Sequence, residues 1–510
     1  MTKHYDVIIV GAGISGITAA YHLQKQSPSK SFLVLEGRAD LGGTWDLFRY
    51  PGIRSDSDMF TLGYRWKPWL KPKGIADGQL IQDYLREAAH EQGIHSKIRF
   101  QSRVKEANWS SERARWTLDV QSDSQNSHGD NTDNLRYTCN FLYMCSGYYD
   151  YDQGYAPKFE GQDQFAGRIV HPQQWTPDIE YAGKRVVVIG SGATAVTLVP
   201  ALAAKAAHTV MLQRSPSYIV SLPAVDAVAA FFRKRMSPIN AYRATRWKNI
   251  SLSAFFYQLA RRNPAAARKR IVDAAKEALG PNVDVEKHFN PRYGVWDQRV
   301  CIVPDGDLFE SIKSGRSEVV TDEIERFTPQ GIRLRSGREL EADLIVTATG
   351  IEMKLMGGVK VAVDGRPFEV SRALSYKGCM FTDLPNVAYS FGYFNASWTL
   401  KADLIAEYVC RVLAQLDEKG ASYVVPQHND PNIGEEPFVH FSSGYVQRAA
   451  ARVPKQGGKH PFKLYQNYLK DISVLRFGKV DDGFLAFKQA GKPVDKSVSQ
   501  PANQAEQPPA

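Results

Sequence analysis

Tyr5-Asp-Val-Ile-Ile-Val10-Gly11-Ala-Gly13-Ile-Ser15-Gly16 is the stretch on which the fold turns. Tyr5–Val10 is almost wholly apolar and alternates little, the pattern of a parallel strand buried on both faces. A helical run follows to about Gln26, and a second strand, Ser31–Leu35, ends in Glu36. Gly11 permits a tight turn, Gly13 lets backbone approach a pyrophosphate, and Gly16 lets helix pack on strand. The helix N-terminus then faces the phosphates. Glu36 stands at the distance expected of an acid that accepts hydrogen bonds from a ribose diol. Strand, glycines, helix, strand and acid in register predict a dinucleotide site.

A second unit repeats the pattern. Arg185–Ile189 is a buried strand, and Gly190-Ser191-Gly192-Ala193-Thr194-Ala195 repeats the fingerprint with alanine in the third place. The next strand, Thr209–Leu212, ends in Gln213-Arg214-Ser215, where the first unit has Glu36. A guanidinium suits a 2′-phosphate by bidentate, charge-assisted contact, whereas a carboxylate would repel one. The first site therefore reads as FAD and the second as NADPH.

Beside the first fingerprint lie Gly42-Gly43-Thr44-Trp45 and Tyr50-Pro51-Gly52-Ile-Arg54-Ser-Asp56, which suggest a loop folded over the cofactor. Between the two units lies Phe165-Ala-Gly167-Arg-Ile-Val-His171-Pro-Gln-Gln-Trp175, on the residues alone an apolar turn in a linker. Residues 79–92 have the spacing of an amphipathic helix. Ile98–Val104, Ala107–Trp109 and Trp116–Gln121 alternate as antiparallel strands, with Ser122–Asn134 as a hairpin tip. Asp343–Gly350 predicts a strand and turn back towards the first unit. Pro385 to Leu416 predicts a strand, a turn, and a long helix from near Leu400.

With 510 residues the chain has room for roughly three domains of about 150 residues. The expected division is a first dinucleotide domain, 1–150; a linker and the start of a second, 151–221; and a helical insertion, 222–292. The second domain resumes over 293–380, the first over 381–488, and 489–510, rich in Lys, Pro, Gln, Ser and Ala, is expected to be disordered. The fold class is thus α/β with two Rossmann-like domains and a helical insertion in the second.

Five cysteines without CxxC or zinc-like spacing fit a reduced, cytoplasmic protein with no metal site. The uncharged runs Val7–Gln24 and Val186–Ala204 carry fingerprint glycines a few residues in, so a strand, turn and helix explain each better than a bilayer does. No signal peptide and no nucleic-acid partner are expected. The net charge is +10, of which +8 resides between Leu222 and Asn290, with 13 Lys and Arg against 5 Asp and Glu. Aromatics are interleaved there: Phe231, Phe232, Trp247, Phe255, Phe256 and Tyr257. Such a segment can bind a membrane surface or a calmodulin-like partner. The favoured expectation is instead an insertion whose aromatics are core and whose charges are solvated.

Two motifs resemble those of one family. FxGxxxHxxxW (Phe165, Gly167, His171, Trp175) and GxWxxxxYPGxxxD, here GTWDLFRYPGIRSD, resemble the signatures of type I Baeyer–Villiger monooxygenases, a class of flavoprotein monooxygenases. With both fingerprints in order, the resemblance covers about residues 4–480. RYPGIRSDSDMFTLGYRWKPW is especially similar to the branch that holds the mycobacterial ethionamide-activating enzyme. The resemblance implies that Arg299 is the catalytic arginine, that Asp56 orients it, and that His171 is structural and conformational. It further implies FAD and NADPH as cofactors, O₂ as co-substrate, and ketones or sulfur compounds as substrates. Two residues depart from the pattern: Thr176 follows Trp175, and Gln298 stands where many relatives have a lysine for the 2′-phosphate. Arg214 is left as the main support for NADPH.

Three rival readings stand against it, and the disulfide reductase is rejected. A flavin monooxygenase confined to sulfur or nitrogen shares the outline, but typically has Tyr or Phe in place of Trp175. A disulfide reductase needs a redox dithiol, which Cys139 and Cys145 on one strand do not supply. A non-catalytic redox or membrane-surface adaptor rests on the basic segment alone.

Overall fold

A computed structural model describes residues 2–123, 132–428 and 430–491. Two sheets organise the chain, each begun by one glycine-rich unit. The first has nine strands centred on Lys3–Val10, which pairs in parallel with Phe32–Leu35 on one side and Thr132–Met144 on the other. Thr132–Met144 serves two layers. Its first half pairs antiparallel with Arg115–Asp123, and its second half pairs in parallel with Lys3–Val10 and Val387–Tyr389. Val7, Ile8 and Ile9 are fully buried because helices cover one face of this sheet and the antiparallel strands with the C-terminal region cover the other. Residues 124–131 of the expected hairpin tip, and the expected tail from 492 onward, lie outside the described residues.

The second sheet is all parallel, in the order Ser317–Thr321, His208–Gln213, Arg185–Ile189, Leu344–Thr347, Arg168–Val170. Its near-continuous Val, Ile and Leu strands are what burial on both faces demands.

Four expectations need correction. Ile98–Val104 is not one strand. Gln101 adopts φ 49°, so Ile98–Arg99 ends the parallel edge beside Val34 and Leu35, and a separate strand, Ser102–Ser110, starts the antiparallel layer. Gly42–Trp45 is not simply a loop, because a short helix, Thr44–Leu47, begins at Gly43. The stretch from Phe165 is not a turn in a linker either: Arg168–Val170 is an edge strand of the second sheet, beside Leu344–Val346.

The fourth correction concerns the insertion. It forms helices Ala227–Arg233, Pro238–Arg262 and Pro264–Leu279, the last two opened by a proline in the first turn. It belongs to both domains. Tyr242 and Ala229 enter the core of the first, while Val272, Ala275 and Leu279 enter the core of the second. Arg246 is buried and donates from Nη1 to the carbonyls of Phe60, Thr61 and Gly63, capping the short helix Met59–Leu62. The expected aromatic core is only partly there, since Phe231, Trp247, Phe255 and Phe256 remain about half exposed.

Candidate active site

The two glycine-rich turns face each other across a single cleft of about 1110 Å³, above the roughly 300–1,000 Å³ typical of a site for one ligand. Gly11, Gly13, Ser15, Glu36, Gly43, Thr44, Trp45 and Asp56 line one side. Gly190, Ser191, Gly192, Ala193, Thr194, Arg214 and Ser215 line the other. Gly16 and Ala195 stand behind the wall, at the helix–strand contacts that their small size permits. Helices Ile14–Gln26 and Ala193–Ala203 both start without a side-chain cap and without an acid in the first turn. Their first N–H groups are therefore left for an anion, which is what a dinucleotide pyrophosphate requires.

Glu36 is buried, and burial raises its pKa. Its carboxylate accepts from the backbone N–H of Ala12 at 2.7 Å and of Arg38 at 2.9 Å, so the acid also shapes the turn it follows. Ser15 is likewise engaged, accepting from the Trp398 indole N–H at 2.8 Å. That bond ties the first fingerprint to the helix that re-enters the first domain from the far end of the chain.

Midway along the cleft, Arg299 meets Asp56. The guanidinium binds the carboxylate in bidentate fashion, Nε to Oδ2 at 2.6 Å and Nη2 to Oδ1 at 2.8 Å. About a third of each side chain stays open to the cleft, with exposures of 32% and 26%. Burial works against the arginine's charge, but the Asp56 carboxylate outweighs it and raises its pKa, so Arg299, which faces Tyr148 and Tyr445, is a fixed cation. Burial raises the pKa of both phenols, and they remain neutral. Tyr148 stacks on Tyr149 and Trp398, with ring centroids 4.6 and 5.4 Å apart.

Reading the sequence missed Tyr445 and Arg448. Arg448 lies over the Tyr155 ring at 3.4 Å and donates to the Ile351 carbonyl. Both come from a short helix, Gly444–Ala449, whose sequence carries no motif. A second cross-domain pair was missed as well: Arg54 binds Asp307 with two contacts, at 2.5 and 3.2 Å.

Phe165, Gly167, His171 and Trp175 lie off the cleft wall. Phe165 and Trp175 are buried in the two cores that flank the second sheet. His171 closes the turn behind the sheet. Its Nε2 lies 3.2 Å from the Gly350 carbonyl, and its Nδ1 accepts from the Gln173 N–H at 3.2 Å. These partners assign the neutral tautomer with the proton on Nε2. Burial lowers its pKa, so the ring is uncharged at neutral pH. The imidazole packs closely against Gly154, where a Cβ would fall 1.9 Å from Cε1.

Among the described residues, His22, Asp403 and Glu407 form a buried cluster close enough to ligate a metal. Arg65 and Arg476 already neutralise both carboxylates, so the cluster is an ion-pair network. All five cysteines are free and buried, and none pairs into a redox dithiol.

Residues 9–68 match the family described as NAD(P)-binding Rossmann-like domain, and residues 72–228 match the family described as flavin-binding monooxygenase-like. The FAD-containing monooxygenase EthA of Mycolicibacterium smegmatis is 51% identical over 500 residues, 98% of this chain and 100% of that one. The probable FAD-binding monooxygenase AlmA of Acinetobacter baylyi is 45% identical over 500 residues, 98% of this chain and 99% of that one. Among solved structures, an oxidized steroid monooxygenase bound to NADP superposes with a TM-score of 0.74 over 96% of this chain and 100% of the other. Its identity is 22%, a likeness of fold. With half of all positions shared along almost the whole of both chains, this protein belongs to the family of FAD-containing monooxygenases.

Proposed function

We propose that the chain holds FAD at the first fingerprint and NADPH at the second, and inserts one oxygen atom of O₂ beside a ketone carbonyl. Ketone, O₂, NADPH and a proton give ester or lactone, water and NADP⁺. Thioethers and thioamides are the second substrate class. The observation that carries this reading is the Arg299–Asp56 pair, which opens onto a cleft that both fingerprints line. Bound together, the cofactors supply hydride and activate O₂.

The protein's own work is placement and charge. Arg299 offers a fixed positive charge where negative charge develops on the reacting oxygen atoms, and Asp56 aims it. Tyr148, Tyr149, Tyr445 and Trp398 supply an apolar wall that keeps water from that region. Ketone-dependent NADPH consumption with ester product tests the reading directly. Consumption with sulfides but never with ketones would favour the oxygenase confined to sulfur or nitrogen.

Arg214 is proposed to meet the 2′-phosphate of NADPH. It is exposed at the end of strand His208–Gln213 and lines the cleft. Loss of a charge-assisted contact costs about 1.5–3 kcal/mol, or about one to two decades in affinity. Arg214→Ala should raise the KM for NADPH by that factor and leave the KM for NADH nearly unchanged. Equal changes would make this arginine only a surface charge.

His171 is proposed to hold the turn after edge strand Arg168–Val170, and with it the second domain, in the arrangement that brings the cofactors together, without acid–base work. His171→Gln should slow flavin reduction in stopped flow, or uncouple it, while the protein still purifies with FAD. Normal reduction and coupling in that variant would reduce His171 to an ordinary loop histidine.

A further inference from the structure

We infer that the hairpin of helices Pro238–Arg262 and Pro264–Leu279 docks on anionic lipid. Leu252, Phe255, Phe256 and Leu259 stand at the i, i+3, i+4, i+7 spacing that defines one helical stripe. On a globular protein that stripe faces the core. Here each member keeps between 45% and 59% of its surface in solvent. Phe255 and Phe256 touch edge to face at 5.6 Å, so they form a patch and not scattered side chains.

Cations rim the patch. Pro238 to Arg270 holds eight Lys and Arg and not one Asp or Glu, although Arg246 is buried and Lys248, Arg261 and Lys269 pair with Asp226, Asp297 and Asp273 from outside it. Arg262, Lys269 and Arg270 are exposed around the hairpin's turn. Apolar side chains flanked by cations match the boundary between acyl chains and anionic headgroups, and the carboxylates nearby, Asp297 on Arg261 and Asp273 on Lys269, are fewer than the cations. A second copy of the chain is a poor occupant, because two-fold pairing would set this positive face against itself. Among the described residues no helix is long and apolar enough to cross a membrane, so the contact is peripheral.

The patch also adjoins the cleft. Arg261 pairs with Asp297 at 2.7 Å and Tyr257 packs on Trp296 at 5.5 Å, both just ahead of Arg299 in sequence. Docking would therefore seat the loop that carries Arg299 beside the lipid.

Sedimentation of the FAD-loaded protein with phosphatidylcholine vesicles, with and without phosphatidylglycerol, tests this. Binding should require phosphatidylglycerol and fall as salt rises. Phe255→Ser with Phe256→Ser should weaken partitioning at least about tenfold. Arg262→Gln, Lys269→Gln and Arg270→Gln should each weaken it about fivefold. Bound FAD and turnover of a soluble ketone should be unchanged in all of them, which separates lost docking from lost fold. Equal binding to neutral vesicles, or variants that bind as the parent does, would overturn the inference. So would a dimer that the Phe255→Ser, Phe256→Ser protein no longer forms, or capture by polyglutamate in preference to vesicles.

Discussion

Arg299→Ala is expected to purify with FAD, accept hydride from NADPH, and form ester about a hundred- to a thousandfold more slowly than the parent. The magnitude follows from charge. One cation about 4 Å from a developing anion, at an effective dielectric near 20, contributes about 4 kcal/mol. That is about three decades in rate and an upper bound, since a third of the side chain remains in contact with solvent. Attack on a carbonyl needs electron-rich oxygen, which the cation favours, whereas oxygenation of a sulfide needs an electrophilic one. Part of any sulfoxidation should therefore survive in the variant. Asp56→Ala keeps the cation but removes the two contacts that aim it, so its loss should be smaller, about tenfold. Product ratios from a ketone and a thioether, measured side by side with stopped-flow reduction, separate these effects. Ester formation at the parent's rate in Arg299→Ala would remove the arginine from the chemistry, and with it the preference for ketones.

What could be read from the sequence divides along lines of chain distance. Each dinucleotide turn is contiguous, so its strand, glycines, helix and terminal Glu36 or Arg214 fall within about thirty residues and share one local geometry. The Arg299–Asp56 pair spans 243 residues, and no periodicity brings those two together. Only the resemblance named them, and only the fold puts them within contact. Tyr445 had no such help, because it sits alone on a short helix far from any motif. In sequence Arg168–Val170 reads as part of a turn, since three residues are too few to show a strand's alternation. Its pairing with Leu344–Val346 becomes evident only when the second sheet is assembled. The insertion misled for a different reason. A stripe at Leu252, Phe255, Phe256 and Leu259 has the same spacing whether it meets a core or a solvent boundary, so periodicity alone cannot tell inside from outside.

Gly16→Ala should be a severely damaging small substitution, and its counterpart in the second fingerprint shows why. A Cβ at Gly16 would lie 1.8 Å from the Gly11 carbonyl oxygen, a backbone atom that cannot rotate away. The first turn of helix Ile14–Gln26 would have to lift off the Lys3–Val10 strand, moving the N–H groups proposed to meet the FAD pyrophosphate. The second unit carries Ala195 at the equivalent place, fully buried, so its helix already stands far enough from its strand to accept a methyl. The two units look alike in sequence, yet only one of them tolerates the extra carbon. Gly16→Ala is therefore expected to yield protein without FAD, or little folded protein at all. Ala195→Gly should keep both cofactors and lose about 1 kcal/mol of stability from weaker helix propensity. The flavin absorbance of each purified variant and a denaturant titration read both outcomes. A flavin-replete Gly16→Ala protein of parental stability would mean that the first helix sits as loosely on its strand as the second, and that the close contact at Gly11 is not what holds the cofactor turn in place.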